Sequence, residues 1–433
     1  MKKILSFFVI FQIFSLSAYA IEDTKKISLK EAINIAATNN IDLQAEKINI
    51  DIAKNEIKKA NRLQNPTIDS FYFYGTSGRG EPRQWGLSQD IEIGKRYARK
   101  NIAKSQHKLV EKNYEYILFD LKMDVREAYI NLVATKSILD TLKQQKDLQE
   151  ELLKIAEIRF KQNAENNIDL IQAKIALNQL LTQINTAKVN VDIARTNFNK
   201  IINSPTNINY DTKDTIFIED NNYEEMFTPD PNTAFPDFNC FSEKILDKRG
   251  DMLIVKQEID LAEKKLILTL HQRVPDIQLS SGYSYVPSQY STTGSFTSGA
   301  YLGAKLVNIP LFYNFSPDIE NAKLKLEQAE LKYISVKNKA IKDIESSYSR
   351  FLTARKNLMS FEQNIIKNSQ ELIDFSKKKY ETGKSDITSI IVMKQNYKSI
   401  IIGYTQALAD YYNSWTNFLR EINDENFNIE ETL

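Results

Sequence analysis

Arg159-Phe160-Lys161-Gln162-Asn163 running into Ile168-Asp169-Leu170-Ile171, and Lys379-Tyr380-Glu381-Thr382-Gly383 running into Thr388-Ser389-Ile390-Ile391, are two versions of one stretch. Phe160 and Tyr380 are 220 positions apart, and so are Leu170 and Ile390 and the identical triplets Thr196-Asn197-Phe198 and Thr416-Asn417-Phe418. An ungapped offset through helical sequence is the mark of a duplicated unit, and an internal repeat decides the fold before any local preference does. Two copies of a helical hairpin are therefore expected.

Working outward, no glycine or proline occurs from Lys95 to Ser204, and only Gln162 to Asn167 interrupts the apolar periodicity. Two very long helices are predicted. The first, from about Ala98 to Phe160, would extend ~90 Å at ~1.5 Å per residue. A rod of that length suits a coiled coil or a helical tube, not a compact domain. Upstream, Ser28 followed by Glu31 forms a capping box, and a helix is predicted from about Leu29 to Leu63, stopped by Asn65-Pro66.

The period then changes. Thr67 to Gly75 is β-branched and aromatic, and beyond the polar turn Thr76 to Pro82, Trp85, Leu87, Gln89, Ile91 and Ile93 alternate with Gln84, Gly86, Ser88, Asp90 and Glu92. One nearly apolar face and one polar face suit a barrel wall between lipid and water; a hairpin on a soluble core is the competing reading. The pattern returns in the second half. Asp251, Ala262, Pro275 and Ile277 echo Asp42, Ala53, Pro66 and Ile68 at an offset of 209. Ile277 to Val286 and Thr297 to Leu311 are predicted as a second hairpin, with Ala300, Leu302, Ala304 and Leu306 on its apolar face. Ser316-Pro317 opens a long helix from Asp318 to Tyr380, and a last helix ends near Ile422.

The predicted organisation is a signal peptide over 1–20, a first repeat over 21–203, an irregular connection over 204–242 with four prolines, a second repeat over 243–422 and a frayed acidic tail over 423–433. Met1-Lys2-Lys3, the apolar run Ile4 to Leu16 and Ala18-Tyr19-Ala20 carry the signal-peptide reading; an N-terminal anchor is disfavoured because the run is shorter than the ~20 residues of a span. The single cysteine, Cys240, makes an intramolecular disulfide impossible and supplies no thiol near residue 20 for acylation.

Of the 433 residues 26% are charged, yet the formal net charge is +1, which gives no basic stripe for nucleic acid. Glycine-rich phosphate loops, paired Cys or His spacings and a Ser-His-Asp context are absent, and with only His107 and His271 no metal site is read. No enzyme activity and no cofactor are expected.

Two hairpins contribute four strands, too few to close a barrel, and an open sheet in lipid leaves two edges of unpaired backbone groups at several kcal/mol per group. If the strands span a membrane the protein must oligomerise, and a ring of three copies would bring roughly 12 strands together around an aqueous lumen.

These residues resemble the TolC-type outer-membrane efflux proteins over essentially the whole mature length. The marks are Ser28 to Ile33 with Asn39-Asn40, Asn65-Pro66 into the first strand, and the helix-turn segments at Phe160 and Tyr380. The resemblance implies an α+β membrane protein: a homotrimer with a 12-stranded outer-membrane barrel, a periplasmic helical tunnel, and a constriction where the repeated turns meet. As partners it implies a periplasmic adaptor protein and an inner-membrane pump, proton-driven or ATP-driven. Leu87-Ser88-Gln89 with Ile91-Glu92-Ile93-Gly94-Lys95-Arg96 and Arg99 further resembles the heavy-metal (CzcC and CusC) branch, departing from it where Ile93 replaces the first of two glycines.

By the same resemblance the channel gate falls on Asp169 and Tyr380, with Lys384 and Asp386 standing near positions where the family's best-known member has other charged groups. Asp169 as an ordinary helix N-terminal acid is the competing reading. Lys95, Arg96, Arg99 and Lys100 read either as contacts to outer-membrane lipid head groups or as solvated residues; cations at a helix start call for a compensating anion. Phe71, Tyr72, Phe73, Tyr74 and Trp85 read either as an interfacial belt or as plain strand formers. The function expected is a passive exit duct in the outer membrane; the helices alone would also allow a soluble periplasmic coiled-coil adaptor or scaffold.

Overall fold

The structure is a computed structural model that describes residues 23–72, 83–162, 167–205, 208–213, 228–233, 235, 245–286, 298–365, 368, 371–372, 375, 387–425 and 427. In chain order it places β1 (Asp23–Ile27), α1 (Leu29–Asn39), α2 (Ile41–Ala60), β2 (Thr67–Tyr72), β3 (Arg83–Ile91), α3 (Lys95–Gln162), α4 (Asn167–Ile201), β4 (Ile208–Thr212), α5 (Gly250–His271), β5 (Asp276–Tyr285), β6 (Gly299–Val307), α6 (Ser316–Ser360) and α7 (Ile387–Ile422). A single π turn, Phe361–Ile365, follows α6. The predicted signal peptide lies outside the described residues.

The elements group into two compact units, and each draws on both halves of the chain. The first takes the described residues within 1–44, 117–249 and 340–433. Its core is built from the repeat: Phe198 and Phe418, the last residues of the duplicated triplets, are both 0% exposed. Tyr129 meets Phe198 edge-on at 5.8 Å, while Phe351 stacks on Tyr411 at 5.3 Å and packs on Trp415 at 4.9 Å. Fully buried aromatics of this size contribute area and, through ring geometry, roughly 0.5–1.5 kcal/mol per pair beyond it.

The capping box is present as predicted: the Ser28 hydroxyl accepts from the Glu31 backbone, and Glu31 accepts the Ser28 N–H at 2.8 Å. That backbone donor, with Lys213 at 3.1 Å, holds the Glu31 carboxyl well below its ordinary value, at about 2. The single helix predicted from Leu29 to Leu63 is instead two. Asn40 leaves helical geometry (ψ 116°), and its side chain accepts the Leu43 N–H at 2.9 Å, so an asparagine ends one helix and caps the next.

The connection between repeats, predicted irregular, contains β4, which pairs parallel with β1 from Asp23↔Ile208 to Ile27↔Thr212. Neither strand alternates strongly, and their partners lie far apart in sequence, so local pattern could not reveal them. Two further expectations are corrected here. The predicted helix Asp318 to Tyr380 passes at Phe361 into the π turn, where Phe361 packs on Gly403 (a Cβ there would lie 3.3 Å from the ring) and Tyr404 donates to Glu362 at 3.2 Å. The start of the tail is packed, not frayed: Phe427 meets Phe418 edge-on at 5.7 Å and Glu425 pairs with Lys122 at 2.6 Å.

Beside the β1–β4 pair, Asp211 accepts from Lys136 at 2.9 Å and from the Thr212 N–H at 2.7 Å, with Arg195 at 3.5 Å. Burial works against its charge, but the Lys136 ammonium, the Thr212 N–H and Arg195 together outweigh burial and lower its carboxyl below the ordinary aspartate range. A folded value below the unfolded one (about 3.9) means stability present above that pH and lost as pH falls through the lower folded value. Asp211→Asn should cost about 3 kcal/mol at pH 7, because it strands Lys136 in a largely buried site. The gap to wild type, measured by urea unfolding, should narrow as the pH falls below the unfolded aspartate value and close as it passes through the lower folded one.

Candidate membrane wall and its junction with the helices

The second unit, the described residues within 45–116 and 250–339, contains an antiparallel sheet in the order β2-β3-β5-β6. Its registers run Thr67↔Ser88, Ile91↔Ile277 and Asp276↔Val307, which places Ile68, Leu87, Ser281 and Leu302 in one row across all four strands. The same face carries Trp85, Tyr283 and Ala300 in the next row and Ile91, Ile277 and Leu306 further down. Leu302 is 88% exposed on it, and Ile68, Trp85, Leu87, Leu279 and Tyr283 are exposed as well.

The opposite face is a different surface. It carries Gln84, Gly86, Ser88 and Asp90 on β3, Gln278, Ser280, Gly282 and Ser284 on β5, and Tyr301 and Lys305 on β6. Gly86, Gly282 and Tyr301 share a row, and the Tyr301 ring lies over both glycines: a Cβ on Gly86 would sit 2.2 Å from its hydroxyl oxygen. An exposed apolar face backed by a polar one is what a wall between hydrocarbon and water requires. The period-two reading of both hairpins is borne out, with β6 ending at Val307 and not at Leu311, because Asn308 enters the left-handed region (φ 59°).

Strand β3 passes into α3 through Gly94, whose φ of 76° favours glycine, and whose missing side chain leaves room for the His271 ring. Helix α3 begins three residues earlier than predicted, so Lys95, Arg96 and Arg99 occupy its first turns. There the helix dipole repels cations, and the protein supplies the compensation. Lys95 donates to Asp276 at 2.8 Å, both side chains nearly buried at 11% and 6% exposed, and Asn308 donates to the same carboxylate oxygen at 3.0 Å. Arg99 grips Glu92 through both terminal nitrogens, and Gln64 donates to that carboxylate at 3.0 Å. Arg96 donates to the Asn61 carbonyl at 2.7 Å.

The lipid head-group reading of Lys95 and Arg99 is thereby corrected, since protein carboxylates already neutralise both. Glu92 and Asp276 were missed as partners because Glu92 fits the polar alternation and Asp276 opens a strand far away in sequence. The surplus of cations at a helix start was the available signal.

Of the gate residues, Asp169 is the third residue of α4 and half-buried. Tyr380, Lys384 and Asp386 lie outside the described residues, as do Phe73 and Tyr74 of the aromatic belt. Among the described residues no group of three His, Cys, Asp or Glu side chains could hold a metal ion, and no helix is long and apolar enough to cross a membrane.

Comparison with known proteins comes to the same architecture. Residues 32–204 and 241–417 match the profile of the outer membrane efflux protein family. A search of curated proteins returns no match. Among solved structures, the Campylobacter jejuni CmeC outer membrane channel is 17% identical with a TM-score of 0.69, covering 96% of this chain and 93% of its own. CusC is 14% identical with a TM-score of 0.74, covering 94% and 95%. The Neisseria gonorrhoeae MtrE outer membrane channel, in its open state, is 15% identical with a TM-score of 0.70, covering 94% and 93%. At these identities the likeness is one of fold.

The facing of β6 can be tested directly. Leu302→Arg should block membrane assembly, since arginine toward hydrocarbon costs about 2–4 kcal/mol per chain near the midplane. Gly303→Arg, on the polar face and opposed only by the rotatable Ser280 hydroxyl, should be tolerated far better. The ratio of heat-modifiable oligomer to monomer in outer-membrane fractions reads both.

Proposed function

The chain belongs to the outer membrane efflux protein family, and from that premise we propose that three copies close one barrel and act as a passive exit duct. Its place is the outer membrane, and efflux, not catalysis, is the family's activity. In this reading an inner-membrane pump, proton-driven or ATP-driven, delivers cargo through a periplasmic adaptor. The duct supplies a lined path and no chemical step.

The observation that carries the proposal is the four-stranded sheet with two unlike faces. Among the described residues of one chain β2 and β6 each pair on one side only, so two rows of backbone groups would meet lipid unsatisfied. Edge-to-edge closure with further copies satisfies both rows at once. Three copies give about 12 strands, enough for an aqueous lumen lined by the polar face. A soluble coiled-coil scaffold has no use for a sheet with Leu302 and Ile68 turned to solvent. The two-repeat organisation, with boundaries at 21–203 and 243–422, is part of the same proposal, each repeat giving one hairpin and one pair of long helices.

Deleting residues 277–311 removes two strands per chain and should abolish the oligomer outright, because the remaining strands cannot restore the circumference. Crosslinking and native mass analysis of membrane extracts would read this; stable inserted trimers of the deletion, or wild-type protein in the soluble periplasmic extract, would refute the duct.

The gate is proposed at Asp169, Tyr380, Lys384 and Asp386. A phenol donating to a carboxylate is a charge-assisted hydrogen bond worth about 1.5–3 kcal/mol, and repetition about a three-fold axis multiplies it. Support comes from the placement of Asp169 in the first turn of α4, immediately after the repeated turn. Tyr380→Phe combined with Asp169→Ala should leave the trimer assembled and raise its single-channel conductance in planar bilayers. Unchanged conductance in an assembled double variant would place closure on other residues.

A further inference from the structure

In the first unit, α3, α4 and α7 meet around a small apolar cluster of Leu152, Ala156, Ala173, Ile390 and Ile391. Next to it opens a cavity of about 290 Å³, lined from α3 by Gln145 and Gln149, from α4 by Gln179 and Gln183, and from α7 by Lys394 and Lys398 among others. Among the described residues its lining holds two ammonium groups and five glutamine amides, and no carboxylate.

Three separate observations give the cavity a chemical preference. Gln149 is only 6% exposed, and its amide nitrogen is buried without a hydrogen-bond partner, so a donor lies unused in the wall. A buried donor left unmade costs about 1–3 kcal/mol, which an acceptor in the cavity would recover. Lys398 donates only to a neutral acceptor, Gln183 Oε1 at 2.7 Å, and burial pushes its ammonium below the ordinary lysine range with no carboxylate to offset it. Lys394, one helical turn away on the same face, donates to the Leu148 carbonyl at 3.3 Å and adds a second positive charge to the lining; like charges at that spacing repel.

The sequence around the cavity has the same bias. No Asp or Glu occurs from Leu170 to Val191 on α4, or from Ile387 to Ala409 on α7. Acids do occur on α3 in these turns, but none of them lines the cavity, and Glu150 pairs with Lys146 at 3.1 Å. A solvated helix face in a chain of net charge +1 mixes both signs. Among the described residues this one carries cations and neutral polar groups, and no acid.

We propose that the cavity between α3, α4 and α7 is a binding site for a small oxyanion of the phosphate type, held by Lys394, Lys398 and the Gln149 amide. The volume is ample for such an ion with several waters, each of which occupies about 30 Å³. The bound anion bridges α3 and α7, so it stabilises their packing by mass action as its concentration rises. The site is built from α3, α4 and α7 alone, within the first unit, and it stands whether or not the duct reading does.

The test uses the full-length protein purified in detergent, with inorganic phosphate as probe, and potassium chloride replacing phosphate at constant ionic strength. Phosphate should raise the thermal midpoint saturably and bind measurably by calorimetry. Lys398→Gln should weaken the apparent affinity at least tenfold, while Lys54→Gln, on helix α2, which contributes nothing to the lining, should leave it unchanged. Gln149→Glu places a fixed carboxylate in the cavity; it should raise the midpoint without phosphate and remove the phosphate response. Absence of a saturable phosphate effect in the wild type would overturn the proposal. So would an equal affinity in Lys398→Gln, or, should that variant fail to fold, a Gln149→Glu protein that is less stable and still responds to phosphate.

Discussion

A sheet that faces hydrocarbon has no water to satisfy its backbone, and that constraint governs the part of the chain that meets the membrane. Every strand must be paired on both sides, which a chain with β2 and β6 at its edges cannot arrange alone. The same constraint fixes the side chains. Rows such as Ile68, Leu87, Ser281 and Leu302 turn one way and Gly86, Gly282 and Tyr301 the other, so a slip of one residue would turn Lys305 toward lipid. Register is thus enforced at each step by the cost of a wrong face.

Where strand gives way to helix, the problem becomes electrostatic. Lysine and arginine at the start of α3 oppose the helix dipole, and burying Lys95 adds a desolvation cost. Both are offset locally, because Asp276 and Glu92 lie against them with further donors from Asn308 and Gln64. Asp276 belongs to β5 and Lys95 to the helix after β3, so the pair also ties the two hairpins together at their base. Removal of either partner would leave a nearly buried charge unpaired, a larger loss than the pair's own net contribution.

Legibility in the sequence followed the range of the interactions. The capping box at Ser28 and Glu31, the two hairpins and the long helices are written within a few residues and were read correctly. The offset of 220 pointed to Phe198 and Phe418 as equivalent, and both are fully buried. The break at Asn40, where one side chain ends a helix and caps the next, is a local feature that was missed; the rest of what escaped depends on distant partners. Strand β1, Asp23–Ile27, has no pattern of its own and exists because β4 lies beside it. The π turn at Phe361 depends on the small Gly403 across the helix pair, and the packed tail depends on Phe427 finding Phe418. The candidate gate at Asp169 came from the family resemblance alone, and the cation cluster at Lys95 was noticed while its anions were not. A carboxylate at a strand start announces no partner until the sheet brings it there.

The duplication also explains why an acid-free cavity could arise. At the offset of 220, Gln179 of α4 corresponds to Ser399 of α7, and both line it, so the cavity lies on the seam between equivalent helices. Such seams are packed by the apolar positions the copies share, here Ala173 with Ile390 and Ile391. The polar positions beside them are free to diverge. Lys394 has a lysine at its equivalent, Lys174, whereas Lys398 corresponds to Asn178. One copy therefore supplies more charge than the other, and the seam holds a local excess that neither α4 nor α7 offsets with an acid of its own in these turns. Packing symmetry with charge asymmetry leaves a pocket whose geometry is set by the repeat and whose chemistry is set by one helix.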